Sequence, residues 1–78
     1  MIGYLARSLS GHDMNKVYAI VGETESAVYL ADGDGRTKEA PKKKNRKHIQ
    51  IIKTECPIDS NEAINHSIRV YNRRTVDV

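Results

Sequence analysis

Basic side chains are concentrated in residues 41–48 of this 78-residue chain, which read PKKKNRKH. This basic stretch holds five formal positive charges and no acid. Because ammonium groups lose too much hydration when they are buried without partners, we expect it to be a solvent-exposed loop between two strands. Cations displayed in this way favour binding to a polyanion, of which nucleic acid is the commonest in a cell. The predicted main phosphate contacts are Lys42, Lys43, Lys44, Arg46 and Lys47.

The charge of the whole chain is polarised. Residues 36–53 carry eight of the thirteen Lys and Arg against a single acid, Glu39, so the remainder of the chain is net acidic although the total is +3. A basic patch on a mildly acidic body suits orientation on a polyanion better than diffuse attraction does. A second tier of predicted contacts lies in or beside the patch: Arg36, Lys38, His48 and Lys53.

Residues capable of catalysis are scattered. His12, His48 and His66 fall in three separate segments, and Cys56 has no histidine near it in the sequence. The chain shows no nucleophile motif, no phosphate-cradling glycine loop and no metal-ligand spacing. The sequence therefore predicts no catalytic activity, no cofactor and no small-molecule substrate.

One segment resembles the start of a calcium-binding loop, because residues 32–35 read DGDG. In such a loop the required glycine would fall at Thr37 and the closing glutamate at Lys43. We therefore interpret residues 32–35 as a tight turn, and we predict no metal site.

Size and composition predict one small domain with a thin core. The single cysteine excludes an intramolecular disulfide and suits a reducing cytoplasm. No apolar run approaches membrane-spanning length, and the N-terminus has no signal-peptide pattern. We expect a cytoplasmic protein that does not associate with membranes.

Short β-compatible runs alternate with turn-forming residues along the first part of the chain. We predict strands at residues 2–8, 17–22, 27–31, 36–40 and 48–52. Between the first two strands, Gly11 can supply a positive φ, and Asn15 is the next best residue for the left-handed region. Pro41 is expected to end regular pairing, because it has no N–H to donate.

A helix is predicted after Pro57. Asp59 is the expected N-cap, and Glu62 would complete a capping box. Ile64, Ile68 and Tyr71 then recur at one helical face, so we expect them to pack on the strands. The predicted organisation is a β-barrel over residues 1–56 with a helix and a frayed tail, residues 75–78, within residues 57–78, together forming one structural domain.

The tyrosines allow two interpretations. Tyr18, Tyr29 and Tyr71 lie in predicted strands or on the helical stripe, which favours packing in the core with the hydroxyl at the surface. Stacking on nucleic-acid bases is the alternative, and for Tyr4 the two interpretations stay open.

Residues 2–29 resemble the KOW motif, which is a strand, a turn with a key glycine and a second strand within an SH3-like barrel. The matching features are Gly3, the SGHD turn at residues 10–13, the VYAIV strand at residues 17–21 and the ADG at residues 31–33. Together with the basic stretch, they make most of the chain similar to small bacterial KOW-domain RNA-binding proteins and to KOW-bearing large-subunit ribosomal proteins of archaea and eukaryotes. Asn15 replaces the glycine and His12 the arginine that are usual in those proteins.

The resemblance implies an SH3-like β-barrel and non-catalytic binding of structured RNA, with ribosomal RNA, the ribosome and ribosomal proteins as partners. On the KOW-turn side of the surface, the contacts it implies are Arg7, Gly11, His12 and Lys16. A protein-interaction module that acts on an acidic partner or on the transcription or translation machinery remains the alternative, since the fold does not fix the function.

Overall fold

The computed structural model describes the backbone of residues 1–76 and the side chains of residues 1–74. It contains five strands and one helix, which is the mainly β class with a C-terminal helix that the sequence predicts. The elements are β1 (Tyr4–Ser8), β2 (Val17–Glu23), β3 (Ala27–Ala31), β4 (Lys42–Asn45), β5 (Ile49–Glu55) and α1 (Asn61–Val76), with a 3-10 turn at Arg46–His48 between β4 and β5.

The strands form one antiparallel sheet in the order β4-β3-β2-β1-β5. Its two edge strands, β4 and β5, are joined by the three residues of the 3-10 turn. Such a turn advances only about 2 Å per residue, whereas the edges of a flat five-stranded sheet would lie roughly 19 Å apart. The sheet must therefore curl until its edges approach each other. The result is the open, barrel-like form expected of an SH3-like fold, in which β4 and β5 are not paired with each other.

The curled sheet separates two apolar clusters. The inner face encloses one, formed by Ala6, Tyr18, Ile20, Val28, Leu30 and Ile49. The outer face and α1 enclose the other, formed by Leu5, Val17, Ala19, Ala31, Cys56, Ile64 and Ile68, with Tyr71 at its margin. The predicted packing of Ile64, Ile68 and Tyr71 on the strands is confirmed. Alternation along each strand serves both clusters, which is why these strands are apolar at successive positions.

The predicted fourth strand, residues 36–40, is wrong. The Asp32 carboxylate accepts hydrogen bonds from the backbone N–H groups of Asp34 and Arg36, at 2.9 and 2.8 Å, and the Lys38 N–H donates to the Asn61 side chain at 2.8 Å. These side chains take the donors that a strand ladder would need, so the segment forms turns. Residues 32–35 do lie in a turn, as predicted.

The fourth strand is instead Lys42–Asn45, inside the stretch that the sequence predicts to be a loop. It pairs with β3, and Pro41 stands immediately before it rather than ending the pairing. The 3-10 turn takes up His48, which the sequence assigns to the fifth strand, and β5 then extends to Glu55. At the N-terminus, the positive φ of Gly3 (90°) delays β1 until Tyr4.

The helix begins one residue later than its predicted cap requires. The Ser60 hydroxyl accepts a hydrogen bond from the Ala63 N–H at 3.1 Å, so Ser60, and not Asp59, caps α1. The helix continues through Val76, where the sequence predicts fraying from Thr75; residues 77 and 78 of that prediction lie outside the described residues. Across residues 1–76, no helix has the length and apolar character needed to cross a membrane.

Candidate nucleic-acid interface

The strand β4 divides the lysines of the basic stretch between two faces. Lys42 and Lys44 lie opposite Leu30 and Val28 of β3, whose side chains belong to the inner cluster. Lys43 lies opposite Tyr29 and shares the outer face with it. This alternation gives neighbouring lysines different environments, so the basic stretch is not one uniform charged surface.

Lys44 is a largely buried structural lysine. Its side chain is only 10% exposed, and its ammonium group donates to Asp13 Oδ1 at 2.7 Å, to Ser8 Oγ at 2.7 Å and to the Ser10 carbonyl at 2.8 Å. An ammonium group has three N–H donors, and all three are used here. The prediction that Lys44 lies in solvent is therefore wrong, and a phosphate contact by Lys44 would require breaking one of these hydrogen bonds.

Asp13 gathers four donors at this end of the barrel. Lys44 and Ser8 donate to Oδ1, and Lys42 and the Tyr18 hydroxyl each donate to Oδ2 at 2.9 Å. Burial by itself raises the pKa of the Asp13 carboxyl, but the hydrogen bonds from Lys44, Lys42, Tyr18 and Ser8 outweigh it and hold that pKa well below its usual range. We call these five residues the Asp13 cluster.

The Asp13 cluster is complete as a hydrogen-bonding unit. Burial, followed by the hydrogen bond to Asp13, raises the pKa of the Tyr18 hydroxyl, which therefore remains a donor. Tyr18 is 2% exposed, so the prediction that its hydroxyl lies at the surface is wrong. No buried polar side-chain atom within residues 1–74 lacks a partner. The cluster closes one end of the barrel and ties the turn after β1 to β4.

Arg46 is also engaged. Its guanidinium donates to Glu23 Oε1 at 2.7 Å and to the Thr24 carbonyl at 2.9 Å from Nε and 2.6 Å from Nη2. The side chain is 35% exposed, and it holds the turn between β2 and β3 against the 3-10 turn. Part of its donor set stays available, but its charge is already paired.

Lys43 and Lys47 differ from the other cations of the basic stretch. Both are exposed, and neither side chain makes a hydrogen bond or ion pair with any other part of residues 1–74. Lys43 projects from the outer face of β4. Lys47 lies in the 3-10 turn, where its backbone N–H donates to the side chain of the N-cap Asn45 at 2.9 Å. Within the basic stretch, these two ammonium groups can neutralise phosphates without breaking a contact inside the described part of the chain.

The turn between β1 and β2 contains the two left-handed residues that the sequence predicts. Gly11 has a φ of 87° and Asn15 a φ of 73°, so both positions proposed for the left-handed region are confirmed. The Leu9 N–H donates to the His48 carbonyl at 2.8 Å, which places this turn beside the 3-10 turn. We call the surface formed by residues 9–16 and Arg46–His48 the turn end of the barrel; it also exposes His12.

Two predicted contacts beside this turn, Lys16 and Arg7, have internal roles. Lys16 pairs with Asp32 Oδ2 at 2.7 Å and lies 5.2 Å from the centre of the Tyr18 ring. Arg7 donates to the Asn15 carbonyl at 3.3 Å and lies 3.5 Å from the Tyr71 hydroxyl, so it links the turn to the helix. Lys16 remains 49% exposed and can still face a ligand.

The second-tier cations do not converge on the turn end, apart from His48, which lies in it. Lys38 donates to the Asp59 carbonyl at 2.9 Å, near the start of α1. Arg36 follows the turn at residues 32–35, and Lys53 lies towards the far end of β5. Arg36 and Lys53 are exposed, whereas Lys38 is half-buried.

Within residues 1–76, the histidines and the cysteine lie in separate segments. His12, His48 and His66 lie on the turn, the 3-10 turn and the helix respectively, and Cys56 is buried. Burial raises the pKa of the Cys56 thiol, which disfavours the reactive thiolate. Among residues 1–76, no group of three or more His, Cys, Asp or Glu side chains could hold a metal ion.

Sequence reasoning missed Asp13, the residue that organises the turn end. Two signals pointed to it. Asp13 is the only acid in residues 1–22, and Lys42 and Lys44 are spaced as one face of a strand. Treating the basic stretch as a loop concealed the second signal, because a loop has no faces.

No protein-family model matches this chain, and no curated protein is significantly similar to it. The assignment of function therefore depends on the residues and on their geometry.

Proposed function

We propose that this protein binds structured RNA without catalysis, through the turn end of the barrel and the adjacent outer face of β4. The observation that carries the proposal is the division of the basic stretch. Three of its cations form ion pairs with acids of the chain, namely Lys42, Lys44 and Arg46. The other two, Lys43 and Lys47, are exposed and unpaired within the described part of the chain. Two free ammonium groups on a rigid strand and turn form a backbone-reading surface.

Rigidity supports this proposal. The Asp13 cluster fixes β4 from the inner face, and the ion pair of Arg46 with Glu23 fixes the following turn. Lys43 and Lys47 therefore start from anchored backbone positions, which lowers the entropy lost when they meet phosphates. The exposed backbone of Gly11 lies on the same end and can approach a sugar–phosphate chain closely.

The resemblance to KOW proteins extends the proposal to ribosomal RNA, and the lack of a disulfide suits action in the cytoplasm. Ribosomal proteins are then expected neighbours. Co-sedimentation with ribosomal particles at moderate salt tests this part; a protein that stays in the supernatant but binds naked RNA contradicts the ribosomal assignment alone.

The central experiment is a salt titration of binding to fragmented ribosomal RNA. Each neutralised phosphate contributes roughly −0.7 to −0.9 to the slope of log affinity against log salt. Replacing Lys43 and Lys47 by serine should therefore make the slope shallower by about 1.4 to 1.8. The matched control replaces Arg69 and Arg73, two exposed cations of α1, and changes the net charge equally.

Equal slopes for wild type and for the Lys43→Ser/Lys47→Ser variant, with both folded, would overturn the proposed site. If the Arg69→Ser/Arg73→Ser control loses the same amount of salt slope, binding depends only on net charge and the proposed site is wrong. Because the side chains of the two lysines make no contacts within the described residues, the free energy of unfolding of this variant should lie within about 0.5 kcal/mol of the wild-type value.

A protein-interaction function has one observation in its favour. Leu9 and Met14, in the turn between β1 and β2, are 45% and 57% exposed, and apolar side chains at a surface can serve a protein partner. A peptide-binding barrel would show little RNA affinity even at low salt, so the same titration separates the two functions.

A further inference from the structure

Tyr29 occupies an unusual position for a strand tyrosine. It lies on the outer face of the sheet but belongs to neither apolar cluster. Its neighbours Val28 and Leu30 are fully buried, whereas Tyr29 is half-buried, and among residues 1–74 its hydroxyl has no hydrogen-bond partner. A large aromatic ring is thus held at the surface without the polar contact that a tyrosine in the core normally finds.

The ring is seated over a glycine. A Cβ at Gly22, the residue opposite Tyr29 on β2, would lie 3.3 Å from Tyr29 Cδ2 and 3.5 Å from its Cβ. A side chain at position 22 would crowd the ring, so glycine lets Tyr29 lean across the neighbouring strand without displacement. This contact fixes the position of the ring and stabilises the sheet, as aromatic residues do when they cover a glycine in a strand.

The charge beside Tyr29 points to a ligand. On its other side, β4 places Lys43 directly opposite Tyr29, at a separation of about 5 Å between Cβ atoms. Lys43 is exposed and unpaired within the described residues. A fixed aromatic ring with an available cation about one side chain away matches the two parts of a nucleotide, a flat base and a phosphate.

Tyr4 is a strand tyrosine that has no lysine opposite it. It is also half-buried in a strand, and its cross-strand neighbour is Glu55 on β5. A carboxylate at that position repels a phosphate, so the two tyrosines offer similar rings in opposite electrostatic settings.

We propose that Tyr29 is a stacking platform for an unpaired RNA base, and that Lys43 binds the adjoining phosphate. The proposal rests on the function proposed above and specifies it: the preferred RNA presents at least one unstacked nucleotide, in a loop or bulge, to the outer face of β3 and β4. Stacking on an aromatic ring tolerates all four bases, so this contact selects for single-stranded character and not for sequence.

The test uses a single-stranded RNA of ten adenosines and, for comparison, a strand of equal length that lacks the bases. Tyr29→Leu keeps an apolar side chain over Gly22 but removes the aromatic face. It should weaken binding of the adenosine strand roughly five- to 150-fold, the usual range for one lost base–aromatic stack. The salt slope should stay unchanged, because no phosphate contact is removed, and binding of the base-free strand should be unaffected.

Two controls separate stacking from packing. Tyr29→Phe retains the ring and should bind within about twofold of wild type, and Tyr4→Leu should do the same, because Tyr4 lies opposite Glu55. Wild-type affinity of a folded Tyr29→Leu variant for the adenosine strand, or an equal loss for the base-free strand, overturns the proposal. If that variant binds normally while the serine variant of Lys43 and Lys47 still loses salt dependence, only the stacking platform is wrong and the proposed function stands.

If Tyr29→Leu does not fold, a fluorescence measurement on a different variant tests the same proposal. The chain has no tryptophan, so Tyr29→Trp introduces a single reporter that preserves an aromatic ring. The adenosine strand should quench its emission with the same midpoint as binding, and the base-free strand should not. Equal quenching by both strands, or none with the adenosine strand bound, contradicts stacking at this position.

Discussion

Lys44 Nζ lies 2.7 Å from Asp13 Oδ1, and both side chains are only 10% exposed. This ion pair joins the turn between β1 and β2 to β4, two segments that are about thirty residues apart in the chain. Lys44 belongs to the basic stretch, yet through this ion pair it is part of the internal structure of the barrel. The same contact leaves Lys43, its neighbour, on the opposite face of the strand and available to a ligand.

The Asp13 cluster should be a major contributor to stability. Asp13→Asn removes the charge that compensates Lys44 and Lys42, so we expect the free energy of unfolding to fall by about 3 kcal/mol. Lys43→Ser, one residue from Lys44 but without an internal partner, should change it by less than about 0.5 kcal/mol. Chemical denaturation of the two variants measures both values. Equal effects would mean that the Asp13–Lys44 ion pair contributes nothing beyond an exposed lysine to the free energy of unfolding.

Acid should weaken the protein through the same carboxylate. The hydrogen bonds to Asp13 hold its pKa below the ordinary value in the folded state, so its contribution is complete above the unfolded pKa of about 4 and declines as the pH falls below it. One such group accounts for about 1.4 kcal/mol per pH unit in that range. The stability difference between wild type and Asp13→Asn should therefore shrink between pH 4 and pH 2. A difference that stays constant over this range would show that Asp13 is not held ionised by folding.

Two glycines with positive φ should differ sharply in their tolerance of alanine. Gly33 has a φ of 78°, and a Cβ there would lie 2.2 Å from the Asn61 carbonyl oxygen in the first turn of α1. We expect Gly33→Ala to cost more than about 3 kcal/mol, because it combines backbone strain with a clash that pushes the helix away.

Gly11 provides the comparison for this substitution. Its φ is 87°, but the nearest atoms to an added Cβ are side-chain atoms at 3.5 and 3.7 Å, which is ordinary contact. Gly11→Ala should therefore cost only the strain of the left-handed backbone, about 1 to 2 kcal/mol. Thermal melts of the two variants rank them directly, and a Gly11→Ala variant at least as unstable as Gly33→Ala would contradict this account.

The helix should be an integral part of the domain. Ile68 is 7% exposed and packs with Leu5 and Val17 of the sheet, so Ile68→Ala should lower the free energy of unfolding by about 3 kcal/mol. Arg69→Ala, at the next and exposed position, serves as the control and should have almost no effect. If both variants melt together with wild type, α1 is not docked in solution.

The sequence by itself determined the fold class, four of the five strands (β1, β2, β3 and β5) and the docked face of the helix. These features follow from local signals: β-branched and aromatic runs between turn formers, and an apolar stripe at helical spacing. It also located the left-handed positions at Gly11 and Asn15, because few residues tolerate that backbone.

Only the tertiary structure decided which cations are free. The sequence treats residues 42–47 as equivalent charges, and local propensity disfavours a strand of lysines. Pairing with β3 imposes alternation on them, and Asp13, brought in by the turn about thirty residues earlier, offsets the desolvation of Lys44. A long-range ion pair of this kind has no local signature, so the separation of structural lysines from available ones becomes visible only once the sheet has curled.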